Sequence, residues 1–361
     1  MKKKLSISSD FLSSIFAIVL GLIFGFIVLV ISNPSQAVGG FIAILTGSIT
    51  HGMKSIGQVL YYATPIICTG LSVGFAFKTG LFNIGATGQF TMGAFAAVFV
   101  GVVAKSLGGV HWVIALLAAV VAGALWALVP GLLKAFANVN EVISSIMMNY
   151  IGMYLVNYVI KNNTDIYEKL KNQSKAVAES ANIPKFGLNK LFAGSNINGG
   201  ILIAILAVII IYVILEKTTL GYELKAVGFN RNASKYAGIN EKRSIVLSMV
   251  IAGALSGLAG GLLYLAGSGK HLEVVDVLAS EGFTGISVAL LGLLNPIGIL
   301  LAAIFIAYIT QGGFYMQLFD FAPEVIDMII AVIIYFSAFS LLFKALIQKL
   351  RDGKKKEGGG Q

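Results

Sequence analysis

The sequence predicts an all-α fold, a polytopic transmembrane helical bundle of about ten spans with broken or re-entrant helices. Composition is the first reason. Of the 361 residues, 57% are hydrophobic and 12% charged, about half the charged fraction of an ordinary soluble domain, so water could not solvate such a surface. Length is the second. A spanning helix needs about 20 largely apolar residues, because it rises ~1.5 Å per residue across a hydrocarbon core of ~30 Å. Residues 12–31 contain no charge, and 201–215, 245–268 and 325–343 are similarly apolar. The placement of lysine and arginine along the chain is the third.

In order, spans are expected at 11–31, 58–77, 81–104, 111–133, 141–160, 199–215, 244–266, 278–294, 296–316 and 324–343, in a single domain over 1–361 with both termini cytoplasmic. Lys2, Lys3 and Lys4 precede the first span. Its apolar run is too long for a signal peptide and ends in Ile31-Ser32-Asn33-Pro34 rather than in small residues before a cleavage point, so it reads as uncleaved. Residues 35–58 are only moderately apolar and are broken by Gly39, Gly40, Gly47, Gly52 and Gly57. They predict a re-entrant or surface helix, tolerated at membrane depth only where protein or a water-filled cavity covers the backbone.

The loop 161–198 is rich in Asn, Lys and Ser, carries Pro184, and is placed outside the membrane. It is expected to hold short surface helices and to act either as a solvated connector or as a landing surface for an extracellular partner. Residues 216–243 and the basic tail 344–361 fall on the cytoplasmic side. On this drawing 17 lysines and arginines lie inside and 9 outside, six of the latter within 161–198, so the short loops follow the positive-inside rule. The net charge of +10 is therefore a topology signal first, and not a nucleic-acid surface.

Gly253, Gly257 and Gly261 recur every four residues beside Ala252, Ser256 and Gly260. Small residues at this period let a neighbouring helix approach closely, which supplies packing where lipid supplies no hydrophobic driving force.

Polar residues inside spans need partners, since an unpaired amide in hydrocarbon costs about 2–7 kcal/mol. Asn83, Thr87 and Thr91 follow at i, i+4 spacing, with Gln89 beside them and Gly85 and Gly88 weakening the helix. They predict either interhelical hydrogen bonding or a broken helix lining a translocation pathway. Glu141, Ser145 and Asn149 form a second stripe; Asn138 or Asn140 can cap that helix, and Glu141 then suits the positive end of its dipole. Phe283 and Thr284 lie in a third cluster with Glu281 and Ser287, where a capping role competes.

Nothing in this pattern is catalytic. Cys68 is alone, so neither a disulfide framework nor a thiolate metal site forms within one chain. His51, His111 and His271 lack ligand spacing. Gly269-Lys270-His271 departs from a phosphate-binding loop at both the residue after lysine and the earlier glycine, so ATP binding and cofactors are not expected. No acidic pair with a basic relay runs through the spans, which weakens a proton-driven reading.

Residues 216–243 are mixed in charge and punctuated by glycine. Asn230 or Asn232 can cap a short helix ending near Gly238 that presents Arg231, Lys235 and Tyr236 on a rigid knob, with Tyr222 in the same segment. This segment resembles the cytoplasmic coupling region of permeases of bacterial sugar and nucleoside ABC importers, the ribose-permease-like group. Gly80-Leu81-Phe82-Asn83-Ile84-Gly85 with Gly88-Gln89, Asn140-Glu141-Val142-Ile143-Ser144-Ser145 through Asn149-Tyr150, and Glu281-Gly282-Phe283 through Leu291-Gly292 are similar to that group's nucleoside branch.

The resemblance implies a permease subunit in a bacterial cell membrane. An extracytoplasmic solute-binding protein would deliver substrate, ATPase subunits would engage the coupling helix, and a second permease subunit, identical or not, would complete the unit. Thr87 stands where the group often has Glu, and Leu293-Leu294-Asn295-Pro296 where it often has a basic or histidine-containing turn, so the passage suits a neutral polar solute. Nucleosides are the first expectation, ribose or another simple sugar the alternative. A secondary transporter needing no ATPase would show the same broken helices.

Overall fold

The computed structural model describes residues 9–339, so Lys2, Lys354 and the basic tail lie outside the described residues. Helices α1 (Ser9–Ser32), α2 (Ala37–Thr50), α3 (Gly52–Lys78), α4 (Ala86–Val103), α5 (His111–Ala137) and α6 (Glu141–Asn162) are followed by a hairpin of β1 (Tyr167–Glu168) and β2 (Gln173–Ser174). Then come the one-turn α7 (Leu188–Leu191), α8 (Gly200–Lys217), α9 (Thr219–Phe229), α10 (Arg231–Tyr236), α11 (Glu241–Tyr264), α12 (Ser280–Leu291), α13 (Pro296–Met316) and α14 (Pro323–Ala338).

Eight of these helices are long and apolar enough to cross a membrane. α12 and α14 occupy the two remaining expected positions, so the polytopic bundle of about ten spans holds. α12 is the exception in length: its 12 residues reach only ~18 Å, less than a bilayer core. Residues 35–58 divide at Gly52, whose φ of 72° only glycine adopts readily, into the short α2 and the first two turns of α3.

α3, the most buried span, runs through the middle of the bundle, while α1 packs with α14 at one edge. α11 lies between α4 and α5, and its glycines explain how closely. A Cβ on Gly257 would stand 2.9 Å from Gly123 Cα of α5, and one on Gly93 of α4 would strike the Gly257 backbone. Gly253 meets the Gly123 backbone in the same way, while Gly261 meets the Ala119 and Leu116 side chains, so the four-residue period marks a close helix-helix contact that is backbone on backbone at its centre.

The long loop holds short helices as expected, a 3-10 turn at Glu179–Ala181 and α7, but also the β1–β2 hairpin, which was not expected. The reason is pairing with a distant segment. Ser174 N donates to Leu272 O at 2.8 Å, Val274 N to Asn172 O at 2.9 Å, and Ile183 N to Leu265 O at 2.8 Å, so residues 265–274 supply partners that a solvated loop would lack. This end of the bundle is the loop end below; the opposite end carries α9 and α10.

Candidate functional site

α3 ends at Lys78 and α4 starts at Ala86, so Asn83 lies in irregular chain, and the expected stripe through Asn83, Thr87 and Thr91 keeps only its two threonines on one helix. Gly80, at φ 73°, turns the chain out of the helix. The Asn83 amide then faces Gln89: its Nδ2 donates to Gln89 Oε1 at 2.9 Å and to Ser72 Oγ at 3.1 Å, while Gln89 Nε2 donates back to Asn83 Oδ1 at 3.0 Å.

α4 begins with Gly85 at its N-cap and so has no side chain of its own to satisfy its first N–H groups. Asn149 of α6 supplies the missing partner. Its Oδ1 accepts from Gly88 N at 2.8 Å, and its Nδ2 donates to Ile84 O at 3.1 Å. Ser145, one turn earlier on α6, abuts Gly85: a Cβ there would stand 3.1 Å from both Ser145 Cβ and Gln89 Nε2. Asn83, Thr87, Gln89, Ser145 and Asn149 are all buried, and Ser145 Oγ and Thr87 Oγ1 have no hydrogen-bond partner among the described residues. These two hydroxyls leave hydrogen-bonding capacity beside the paired amides, as do Ser55, Asn182 and Gln311 elsewhere among the described residues.

Toward the loop end, this cluster gives way to a cavity of 520 Å³ lined by Thr91, Asn157, Tyr264, Lys270, Glu273 and Glu281 among others. Two helices connect the regions. On α4, Thr91 Oγ1 donates to Thr87 O at 2.9 Å. On α6 the stripe 145, 149 continues through Met153 and Asn157, which line the cavity. Asn157 Nδ2 donates to Val275 O and Asp276 Oδ1, both at 2.9 Å. His271 Nδ1 lies 3.0 Å from Ser174 O, an acceptor, so the ring donates there and anchors the rim.

Sequence reasoning stopped the α6 stripe two turns short of Asn157, although the same four-residue period reaches it. Lys270 and Glu281, 3.8 Å apart, come together only through the fold, and Glu281 caps no helix by side chain: Ala279 is the N-cap of α12. The remaining candidates lie elsewhere. Glu141 pairs with Lys134 at 2.8 Å near the opposite end, with Asn140 rather than Asn138 capping α6. Phe283 is exposed on the flank of α12, and Thr284 Oγ1 donates to its own helix at Ser280 O, 3.0 Å away.

At the α9–α10 end, Asn230 rather than Asn232 caps α10, accepting from Ala233 N at 3.0 Å, and the helix stops before Gly238 at φ 83°. Arg231 does not project from the knob as expected. Its Nε lies 2.6 Å from Glu241 Oε2, pinning α10 to the start of α11, because a carboxylate in that first turn is a nearer partner than solvent. Asn232 and Lys235 are exposed. So are Tyr222, Tyr236 and Phe229, the last two at 94% and 91%. Phe229, which sequence reasoning passed over, and Tyr222 border a groove of 580 Å³ between α9 and α10. Gly228 of α9 rests on the α3–α4 connection, its Cα 3.3 Å from where a Cβ on Gly80 would be.

Among the described residues, no group of three or more His, Cys, Asp or Glu could hold a metal ion. The described residues thus form a cavity of mixed polar and apolar lining, a buried polar cluster below it, and a surface knob in backbone contact with the cluster's connection.

The sequence profile of the branched-chain amino acid transport system permease component matches residues 55–338. The chain belongs to this permease family. The permease is 39% identical to the guanosine ABC transporter permease NupP of Bacillus subtilis, over 95% of this chain and 97% of that one. It is 32% identical to the glucose ABC transporter permease TsgB13 of Haloferax volcanii, over 80% and 77% of the two chains. A second guanosine ABC transporter permease of Bacillus subtilis, NupQ, is 28% identical over 75% of this chain and 86% of its own. No solved structure matches the permease.

Proposed function

We propose that this permease is the membrane-spanning subunit of an ATP-driven nucleoside importer, and that its substrate passes from the loop-end cavity through the Asn83, Thr87, Gln89, Ser145 and Asn149 cluster. The observation that carries this reading is the pair of polar stripes, Thr91 to Thr87 and Asn157 to Ser145, which join cavity and cluster through two different helices. Amides and hydroxyls in two directions suit a solute with many donors and acceptors and no charge. Similarity to NupP over nearly the whole chain supports a nucleoside.

Alternating access would then open the cluster to the α9–α10 end, in a bacterial plasma membrane with that end cytoplasmic. A separate ATPase chain would dock on Tyr222, Phe229 and Tyr236, and its stroke would reach the cluster through Gly228 against Gly80, three residues before Asn83. A solute-binding protein would dock at the loop end, where the hairpin is tied down rather than free.

Similarity to a glucose permease favours one competing reading, a sugar substrate. Uptake of labelled guanosine, uridine, ribose and glucose is to be measured in a deletion strain carrying the permease with its co-encoded subunits. Saturable nucleoside uptake, unaffected by excess sugar and abolished by an inactive ATPase, is expected. Sugar uptake alone would overturn the substrate, and uptake independent of ATPase would overturn the importer.

A further inference from the structure

The loop-end cavity is not a single space. Beside it, between the 3-10 turn at Glu179–Ala181 and the connection that follows α11, lies a smaller pocket of 180 Å³. Tyr264, Gly269, Lys270 and His271 line both, so the two spaces adjoin at these residues, and Asn182 lines only the smaller. Gly267 and Gly269, at φ 69° and 74°, bend the connection around this pocket without filling it: a Cβ on Gly269 would meet no atom within 4 Å.

Asn182 is the polar group that the fold leaves unused there. Its side-chain amide has no hydrogen bond among the described residues. Of the five buried polar atoms that lack a partner among them, Asn182 Oδ1 is the one that belongs to a residue lining either space. The chain that carries it is fastened on three sides. Asn182 N donates to Glu179 O at 3.1 Å, Ile183 N to Leu265 O at 2.8 Å, and Ala178 N to Gly101 O of α4 at 2.9 Å, while Ser180 Oγ lies 2.8 Å from Nδ1 of His111 on α5. An amide held in place with open donor and acceptor positions is preorganised for a ligand.

Its neighbours narrow the chemistry. His271 donates from Nδ1 to Ser174 O, which leaves Nε2 as an acceptor. Lys270 adds a cationic donor that Glu281 engages only loosely, at 3.8 Å. A hydroxyl donates and accepts at once, as an amide does, so several hydroxyls on one ring match amide, imidazole and ammonium together. A base instead offers flat faces to aromatic surface, which Phe90 and Tyr264 supply in the larger space. The smaller pocket has room for one sugar ring but not for a base with its sugar.

We propose that the pocket at Asn182 is a subsite for the ribose of the solute, that the base lies in the larger cavity against Tyr264, and that Asn182 reads the ribose hydroxyls. This rests on the nucleoside reading above and deepens it: two adjoining spaces of unlike lining hold two joined rings of unlike chemistry, and the permease sorts solutes by their sugar before they reach the buried cluster.

The test is saturation-transfer difference NMR of guanosine, and separately of ribose, on the full-length permease purified in nanodiscs with its co-encoded membrane subunits and no solute-binding protein, with empty nanodiscs subtracted. The ribose protons of guanosine should be saturated more strongly than the base proton. Asn182→Leu should lower the ribose signals about fivefold and leave the base signal in place. Its melting temperature should not fall, because the amide it removes has no partner in the protein. A pattern dominated by the base proton, no saturation above empty nanodiscs, an unchanged pattern in Asn182→Leu, or a fall in its melting temperature with loss of all signals would overturn the proposal. Saturation of ribose but not of guanosine, lost in Asn182→Leu, would keep the sugar subsite and overturn the nucleoside reading; saturation of the base alone would do the reverse.

Discussion

Asn83 and Gln89, six residues apart in sequence, exchange two amide hydrogen bonds of 2.9 and 3.0 Å in a fully buried site. Each amide satisfies the other, so losing one is worse than losing both. Asn83→Leu alone should orphan the Gln89 amide and destabilise the permease by about 1–3 kcal/mol. The double variant Asn83→Leu, Gln89→Leu should recover part of that loss. A double-mutant cycle from thermal unfolding in detergent checks this, and additivity within ~0.5 kcal/mol would show the two amides to be independent.

Asn149→Leu removes the cap that α6 lends to α4, leaving Gly88 N and Ile84 O without partners. The expected cost is about 1–3 kcal/mol for each group, together with at least a tenfold fall in uptake at normal membrane expression. Wild-type uptake by this variant would return Asn149 to ordinary packing.

Gly257→Leu forces a side chain between the backbones of α4 and α5, where Gly93 and Gly123 leave no room. Overpacking should cost about 3 kcal/mol or more and lower the yield of folded protein. Gly109→Ala is the control, since a Cβ there would meet no atom within 4 Å. Similar melting temperatures for both variants would contradict a backbone contact at Gly257.

The knob at the α9–α10 end separates two roles. Arg231→Ala breaks a solvent-accessible ion pair with Glu241 and should leave overall stability little changed while loosening α10. Phe229→Ala with Tyr236→Ala should leave stability unchanged, because both rings are almost fully exposed, yet reduce ATPase co-purification and uptake. Undiminished values for that pair would remove the docking role from these aromatics.

Lys175 is exposed on the loop end, with Nζ donating to Thr164 O at 2.8 Å. A cysteine at 175, in a background lacking Cys68, should react with a membrane-impermeant reagent in intact cells. Reaction only after lysis would invert the drawn topology.

Much of the bundle was legible because a bilayer imposes one-dimensional constraints. Apolar length located the spans, and glycine period located the α11 contact at Gly253, Gly257 and Gly261. The α6 stripe was legible for the same reason, since Ser145 and Asn149 share a helix. Asn83 was misplaced because helical spacing was extended across Gly85, where the chain is irregular. The hairpin was missed because the segment that holds it in place is distant in sequence, 98 residues away in the Ser174 to Leu272 bond, and local composition carries no trace of it.

By itself the sequence determined that this chain spans a membrane many times, which residues are too polar for lipid, and where a capped surface helix interrupts the spans. Each follows from local hydrophobicity, period or capping. The tertiary structure decided which polar residues meet: that Asn149 caps a different helix, that Lys270 faces Glu281, that Arg231 is held by Glu241, and that Glu141 stands apart from the cluster. Those pairings depend on how helices cross in three dimensions, and interhelical distance is not encoded in the order of residues along any one of them.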